Sequence, residues 1–82
     1  MSDLTATYCT RLDEHLLTLA NDAERKAFCQ REFEKWEERF MQFQIAAAKN
    51  RLPPGHGTAW DYSETIAEIG KRVGKYKQEA VS

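Results

Sequence analysis

Between residues 29 and 47 apolar side chains recur at steps of four and three: Cys29, Phe33, Trp36, Phe40, Phe43 and Ala47. That spacing collects them on one face of a helix, and three Phe and a Trp on one stripe need a neighbouring helix for cover. Met41, Ile45, Ala46 and Ala48 lie beside the stripe, so the second half of this helix is apolar around most of its circumference. The pattern predicts a central helix over residues 22–49, about 40 Å long at the usual rise per residue.

A first helix is expected over residues 3–19, where Leu4, Tyr8, Leu12, Leu16 and Leu19 share a face with Cys9 beside them. Leu17 points away from that stripe and is a candidate partner contact. Asn21 to Glu24 reads as a break and restart, because Asn is a strong N-cap and Glu24 is placed to close a capping box. No Gly or Pro enforces the turn, which leaves one continuous helix as an alternative. A hairpin is preferred because continuing the first stripe in phase lands on Lys26 and Gln30.

Residues 50–60 read as a loop: Pro53-Pro54-Gly55-His56-Gly57 removes amides and restricts the backbone before each Pro. A third helix is expected over 62–79, opened by a capping box at Asp61 and Glu64 with Ser63 as a competing cap. Its stripe is Tyr62, Ile66, Ile69, Val73, Tyr76 and Ala80. Gly70 and Gly74 interrupt it at a cost of about 1 kcal/mol each relative to Ala. Either the backbone approaches a neighbour closely there, or helicity near the end is under little demand. The expected fold is all-α: an antiparallel helical hairpin plus a third helix on the apolar C-terminal half of the second, forming a small three-helix bundle.

Eighty-two residues allow one domain at most, expected over 1–82, near the lower limit for an unaided hydrophobic core. Small chains then lean on disulfides, metals or association. The first two find little support. Cys9 and Cys29 are the only cysteines, and neither pairs with His15 or His56 in a metal-ligand spacing. No metal and no cofactor are expected. Two reduced, packed thiols and the lack of a signal-like or membrane-spanning apolar run suggest a cytoplasmic protein without a membrane role. Association remains, as a homo-oligomer such as a dimer or with a larger protein.

Net charge is −1, with six Lys/Arg against nine Asp/Glu in residues 1–48 and six against four in 49–82. Such a balance gives no global drive toward nucleic acid. Locally, Lys71, Arg72, Lys75 and Lys77 crowd the last turns of helix three, while Arg51, His56 and Trp60 surround the loop. Phosphate binding uses such clusters with aromatics for stacking, which makes nucleic-acid binding the alternative reading. The macrodipole favours the same cations without any ligand, and Trp60 has a structural reading as a cap on the core.

Cys29 with His15 or His56 is the only Cys/His arrangement, no serine motif accompanies it, and no carboxylate is placed to orient it. No enzyme activity is expected. The sequence therefore points to a non-enzymatic regulatory or adaptor protein that inhibits or bridges a larger partner, in the manner of small accessory proteins of phages or plasmids. Its candidate contacts are Leu17, Met41, Ile45, Leu52 and the loop residues Arg51, His56 and Trp60, with Lys71, Arg72 and Lys75 steering an acidic partner.

Overall fold

The computed structural model of the chain describes residues 2–52 and 57–77. Three helices follow one another: α1 (Asp3–Leu17), α2 (Asp22–Ala48) and α3 (Ala59–Lys77), with no strand among the described residues. It is a small all-α bundle.

Caps explain each start. Ser2 Oγ accepts from the Thr5 amide at the head of α1, and Asn21 Oδ1 accepts from the Glu24 amide at 2.9 Å at the head of α2. Glu24 returns a bond to the Ala20 amide, one residue before the cap. Arg25 closes the α1–α2 turn by donating to the carbonyls of Leu16 at 3.0 Å and Leu19 at 2.9 Å. It thereby satisfies acceptors that the end of α1 would otherwise leave to water. The break expected at Asn21 is present, but α1 ends at Leu17 rather than at residue 19.

At the end of α2, Asn50 adopts φ 57°. The Asn50 amide bonds the Ala47 carbonyl at 3.1 Å and the Arg51 amide bonds that of Ala46 at 2.8 Å, the paired bonds of a Schellman stop. Asn tolerates the left-handed region better than other side-chain-bearing residues, so it ends the helix where no Gly is available.

The start of α3 differs from expectation. Thr58 Oγ1 accepts from the Asp61 amide at 3.2 Å, and Asp61 Oδ2 accepts from the Thr58 amide at 2.8 Å, a reciprocal capping box. Helix therefore begins at Ala59, three residues before Tyr62, and the expected box between Asp61 and Glu64 does not form. The end of the expected helix at residue 79 and the stripe residue Ala80 lie outside the described residues.

Side-chain pairs set the topology. Tyr8 bonds Glu32 while Arg25 bonds Leu16, so α1 and α2 run antiparallel. Thr5 meets Thr65 and Asp13 meets Arg72, so α1 and α3 run parallel. Backbones approach most closely between α2 and α3, then between α1 and α3. The hairpin of the first two helices is thus held mainly by long side chains. Helix α3 also covers more of α2 than its C-terminal half: Tyr62 reaches Phe43, and Gly70 lies beside Phe33.

The core is Leu12, Leu16, Cys29, Trp36 and Ile69, with Tyr8, Phe28, Phe33, Tyr62, Ile66 and Val73 packed around it. Thr5 and Thr65 are fully buried, and their hydroxyls bond each other at 3.0 Å across the α1–α3 interface. At the other end of the stripe, Ala47 is exposed.

The two glycines of α3 separate. A Cβ on Gly70 would stand 3.4 Å from the Phe33 ring, ordinary contact, whereas one on Gly74 would meet nothing within 4 Å. Close approach therefore requires a glycine at neither position, although Gly70 does lie against the Phe33 ring and Gly74 against nothing. Gly74→Ala is accordingly expected to stabilise the protein by about 1 kcal/mol through helix propensity alone. Thermal unfolding followed by circular dichroism checks this; an unchanged or lower midpoint would show that Gly74 serves a purpose the fold does not reveal.

Candidate functional site

Tyr62 gathers the aromatic residues of α2 around itself. Its ring stands 5.8 Å from Trp36, 5.8 Å from Phe40 in a stacked arrangement and 4.9 Å from Phe43. Tyr8 closes on Trp36 edge-on at 5.0 Å, and the Arg39 guanidinium lies 5.4 Å above the indole. Trp36 is only 8% exposed, yet its indole Nε1 has no hydrogen-bond partner among the described residues. Tyr8 donates to Glu32 at 2.7 Å. Burial, reinforced by that carboxylate, pushes the Tyr8 phenol far above its ordinary range, so it stays protonated.

Beyond Trp36 a groove of about 710 Å³ opens along α2. Its floor is Trp36, Phe43, Ala46 and Tyr62, closed at one end by Leu52, and its outer bank carries Lys35, Glu38, Arg39 and Gln42. No α1 side chain lines it. The Schellman turn places Leu52 there, because reversing the chain after Asn50 brings residue 52 back over Ala46. On the other flank of α2, a shallower groove of about 580 Å³ runs between Phe33, Phe40 and Met41 and the α3 residues Ile66 and Gly70, with Glu37 on its rim.

The opposite end of the molecule holds a third depression, about 460 Å³, between Asp13, Leu17, Lys71, Arg72, Lys75 and Tyr76. Its charges are largely engaged. Arg72 grips Asp13 with two bonds, 2.7 and 2.9 Å, and Lys71 bonds Glu68 at 2.8 Å. Lys75 lies over the Tyr76 ring at 5.4 Å. The Arg72 hydrogen bonds hold the Asp13 carboxyl below its usual range, and Lys71 does the same for Glu68. At the α3 cap, the Thr58 amide lowers Asp61.

These shifts fix a sign for acid stability. A carboxyl with a lowered native pKa stabilises the fold fully above its unfolded value, about pH 4, and loses that contribution as pH falls through the native value. Stability should be level from neutral pH to about pH 5 and fall steadily below about pH 4. Arg72→Ala should begin less stable and lose less on acidification. Thermal unfolding from pH 7 to pH 2 tests this; a midpoint insensitive to acid in the parent chain would contradict the assigned pairs.

Eight of the ten residues singled out from sequence fall into two groups. Leu17, 83% exposed, lies with Lys71, Arg72 and Lys75 at one end. Met41 (58% exposed) and Ile45 (43%) lie toward the other end of α2 with Arg51 and Leu52. Arg25 and Met41 alone are about 24 Å apart along α2 at the usual rise. Trp60 is 67% exposed and does not cap the core. His56 lies outside the described residues. Sequence reasoning missed Lys35, Arg39, Phe43, Ala46 and Tyr62 as groove residues: Phe43 and Tyr62 lie on stripes read as core, and Ala46 lies beside one.

Both thiols are buried and free. Burial pushes the pKa of the Cys9 and Cys29 thiols up, which keeps them protonated and poor as nucleophiles. Among the described residues no three His, Cys, Asp or Glu side chains gather to hold a metal ion, and no helix is long and apolar enough to cross a membrane. Comparison with protein-family models, curated proteins and solved structures finds no match.

Proposed function

We propose that this protein is a non-enzymatic binding module, regulatory or adaptor in role, that docks a larger protein along the C-terminal third of α2. One observation carries the reading. Residues 40–48 form nine consecutive uncharged positions, apolar on nearly every side, and that segment has α3 for cover on one side only. A helix apolar all round is ordinarily buried. Phe, Met and Trp are also the residues that concentrate in interface cores.

The nucleic-acid alternative draws less support. Its cations on α3 include Arg72 and Lys71, which hold Asp13 and Glu68, and an engaged cation releases less free energy on meeting phosphate. Leu17 at the far end serves as an internal control. In affinity capture from the native cell, the parent chain and Leu17→Glu should retain the same protein, and Ala46→Trp, which plugs the groove without adding charge, should lose it while keeping its helicity. Retention by Ala46→Trp and loss by Leu17→Glu would move the site to the other end. A gel shift that weakens steeply with salt would favour nucleic acid.

A further inference from the structure

We propose that the groove on α2 seats an amphipathic α-helix of a partner protein, apolar along one face and acidic along its edge. This rests on the functional reading above and names its ligand.

The shape follows from the helix period. Phe28 and Glu32 are among the α2 residues that meet α1, through His15 and Tyr8. The same stripe continues at steps of three and four through Lys35, Arg39, Gln42 and Ala46, and these line the groove. The groove is thus the lane of α1 prolonged past the point where α1 begins. Eleven residues separate Lys35 from Ala46, about 17 Å of α2, which suits a guest helix of roughly three turns anchored at i, i+3 or i+4, and i+7.

Charge selects the guest. The groove edge carries Lys35 and Arg39 with Glu38 as the one carboxylate lining it, and Lys49 and Arg51 follow the uncharged stretch. Arg39 has no ion pair among the described residues; its guanidinium rests on Trp36. Lys35 reaches Glu32 only at 3.5 Å. A second copy fits this lane poorly, because a two-fold contact sets a surface against itself and would bring these cations together. An edge of Glu or Asp on a foreign helix meets them favourably, and its apolar face covers Phe43, Ala46, Leu52 and Tyr62.

The probe is a fluorescein-labelled synthetic peptide of about four turns, with Leu at the anchor spacing and Glu along both edges. A second peptide carries Lys at every Glu. Each is titrated into the full chain and followed by anisotropy. The acidic peptide should bind at micromolar concentration, at least about tenfold tighter than the basic one. Ala46→Trp should abolish binding, Arg39→Glu should reverse the preference, and Gln42→Glu, an exposed isosteric change, should weaken the acidic peptide severalfold. Equal affinity for the two peptides, no acidic binding at millimolar concentration, or binding indifferent to Ala46→Trp would each overturn the inference. So would a dimer in sedimentation that Ala46→Trp dissociates. If Ala46→Trp still loses a captured protein while the peptides show no charge preference, this inference fails and the functional reading stands. If Ala46→Trp changes neither, both fail.

Discussion

Trp36→Ala should destabilise the protein by about 3–5 kcal/mol, the range for removing a large buried aromatic side chain. That is a large share of the total for a chain of this size, whose stability is of the order of 5–10 kcal/mol. The ring joins all three helices: Tyr8 from α1 and Tyr62 from α3 both pack on it, and Arg39 covers its outer face. Trp36→Phe should behave very differently. It gives up part of the ring area but keeps an aromatic ring between Tyr8 and Tyr62, so Trp36→Phe should cost about 1–2 kcal/mol, well below Trp36→Ala. Urea unfolding read by circular dichroism separates them. A Trp36→Ala change below about 1 kcal/mol would mean that the indole is not sheltered, since only surface substitutions cost so little.

The second large effect concerns the hydroxyl pair between α1 and α3. Thr5 Oγ1 meets Thr65 Oγ1 at 3.0 Å with both residues fully buried, and Ser2 Oγ donates to Thr5 Oγ1 at 3.0 Å. Thr5→Val keeps the volume and strands the Thr65 hydroxyl, at a cost of about 1–3 kcal/mol. Thr65→Val should cost less, because Thr5 Oγ1 keeps the Ser2 hydroxyl at 3.0 Å and the Asp61 carbonyl at 3.4 Å as partners. The double variant removes both hydroxyls and should cost clearly less than the two single changes combined. A double-mutant cycle measures that difference directly. Strict additivity would show that the hydroxyls do not depend on one another.

Much of this fold is legible in the sequence because its signals are periodic. Cys29, Trp36 and Ile69 fall on the expected stripes and are buried. What the sequence concealed was local choice among similar groups. Thr58, Asp61 and Ser63 are all competent caps, and only folding shows that Thr58 and Asp61 satisfy each other. That choice also turned Trp60 outward. With helix beginning at Ala59, Trp60 sits two residues before Tyr62, about 200° around the helix from the buried stripe.

The groove was concealed differently. Phe43 and Tyr62 read as core because periodicity reports a face and not what covers it. The clue was length: α1 spans 15 residues and α2 spans 27, so one cannot shelter the other throughout. The cations on α3 misled for a related reason. Their spacing was visible, but the partner of Arg72 is Asp13, a residue 59 positions away on another helix.

Native-state hydrogen exchange of the free protein tests most directly whether α2 outruns its cover. Amides of α2 near Cys29 and Trp36 should exchange only on global unfolding, whereas those of residues 40–48 should open at markedly lower free energy. Uniform protection from one end of α2 to the other would contradict the account, because the segment assigned to a partner would then already be covered.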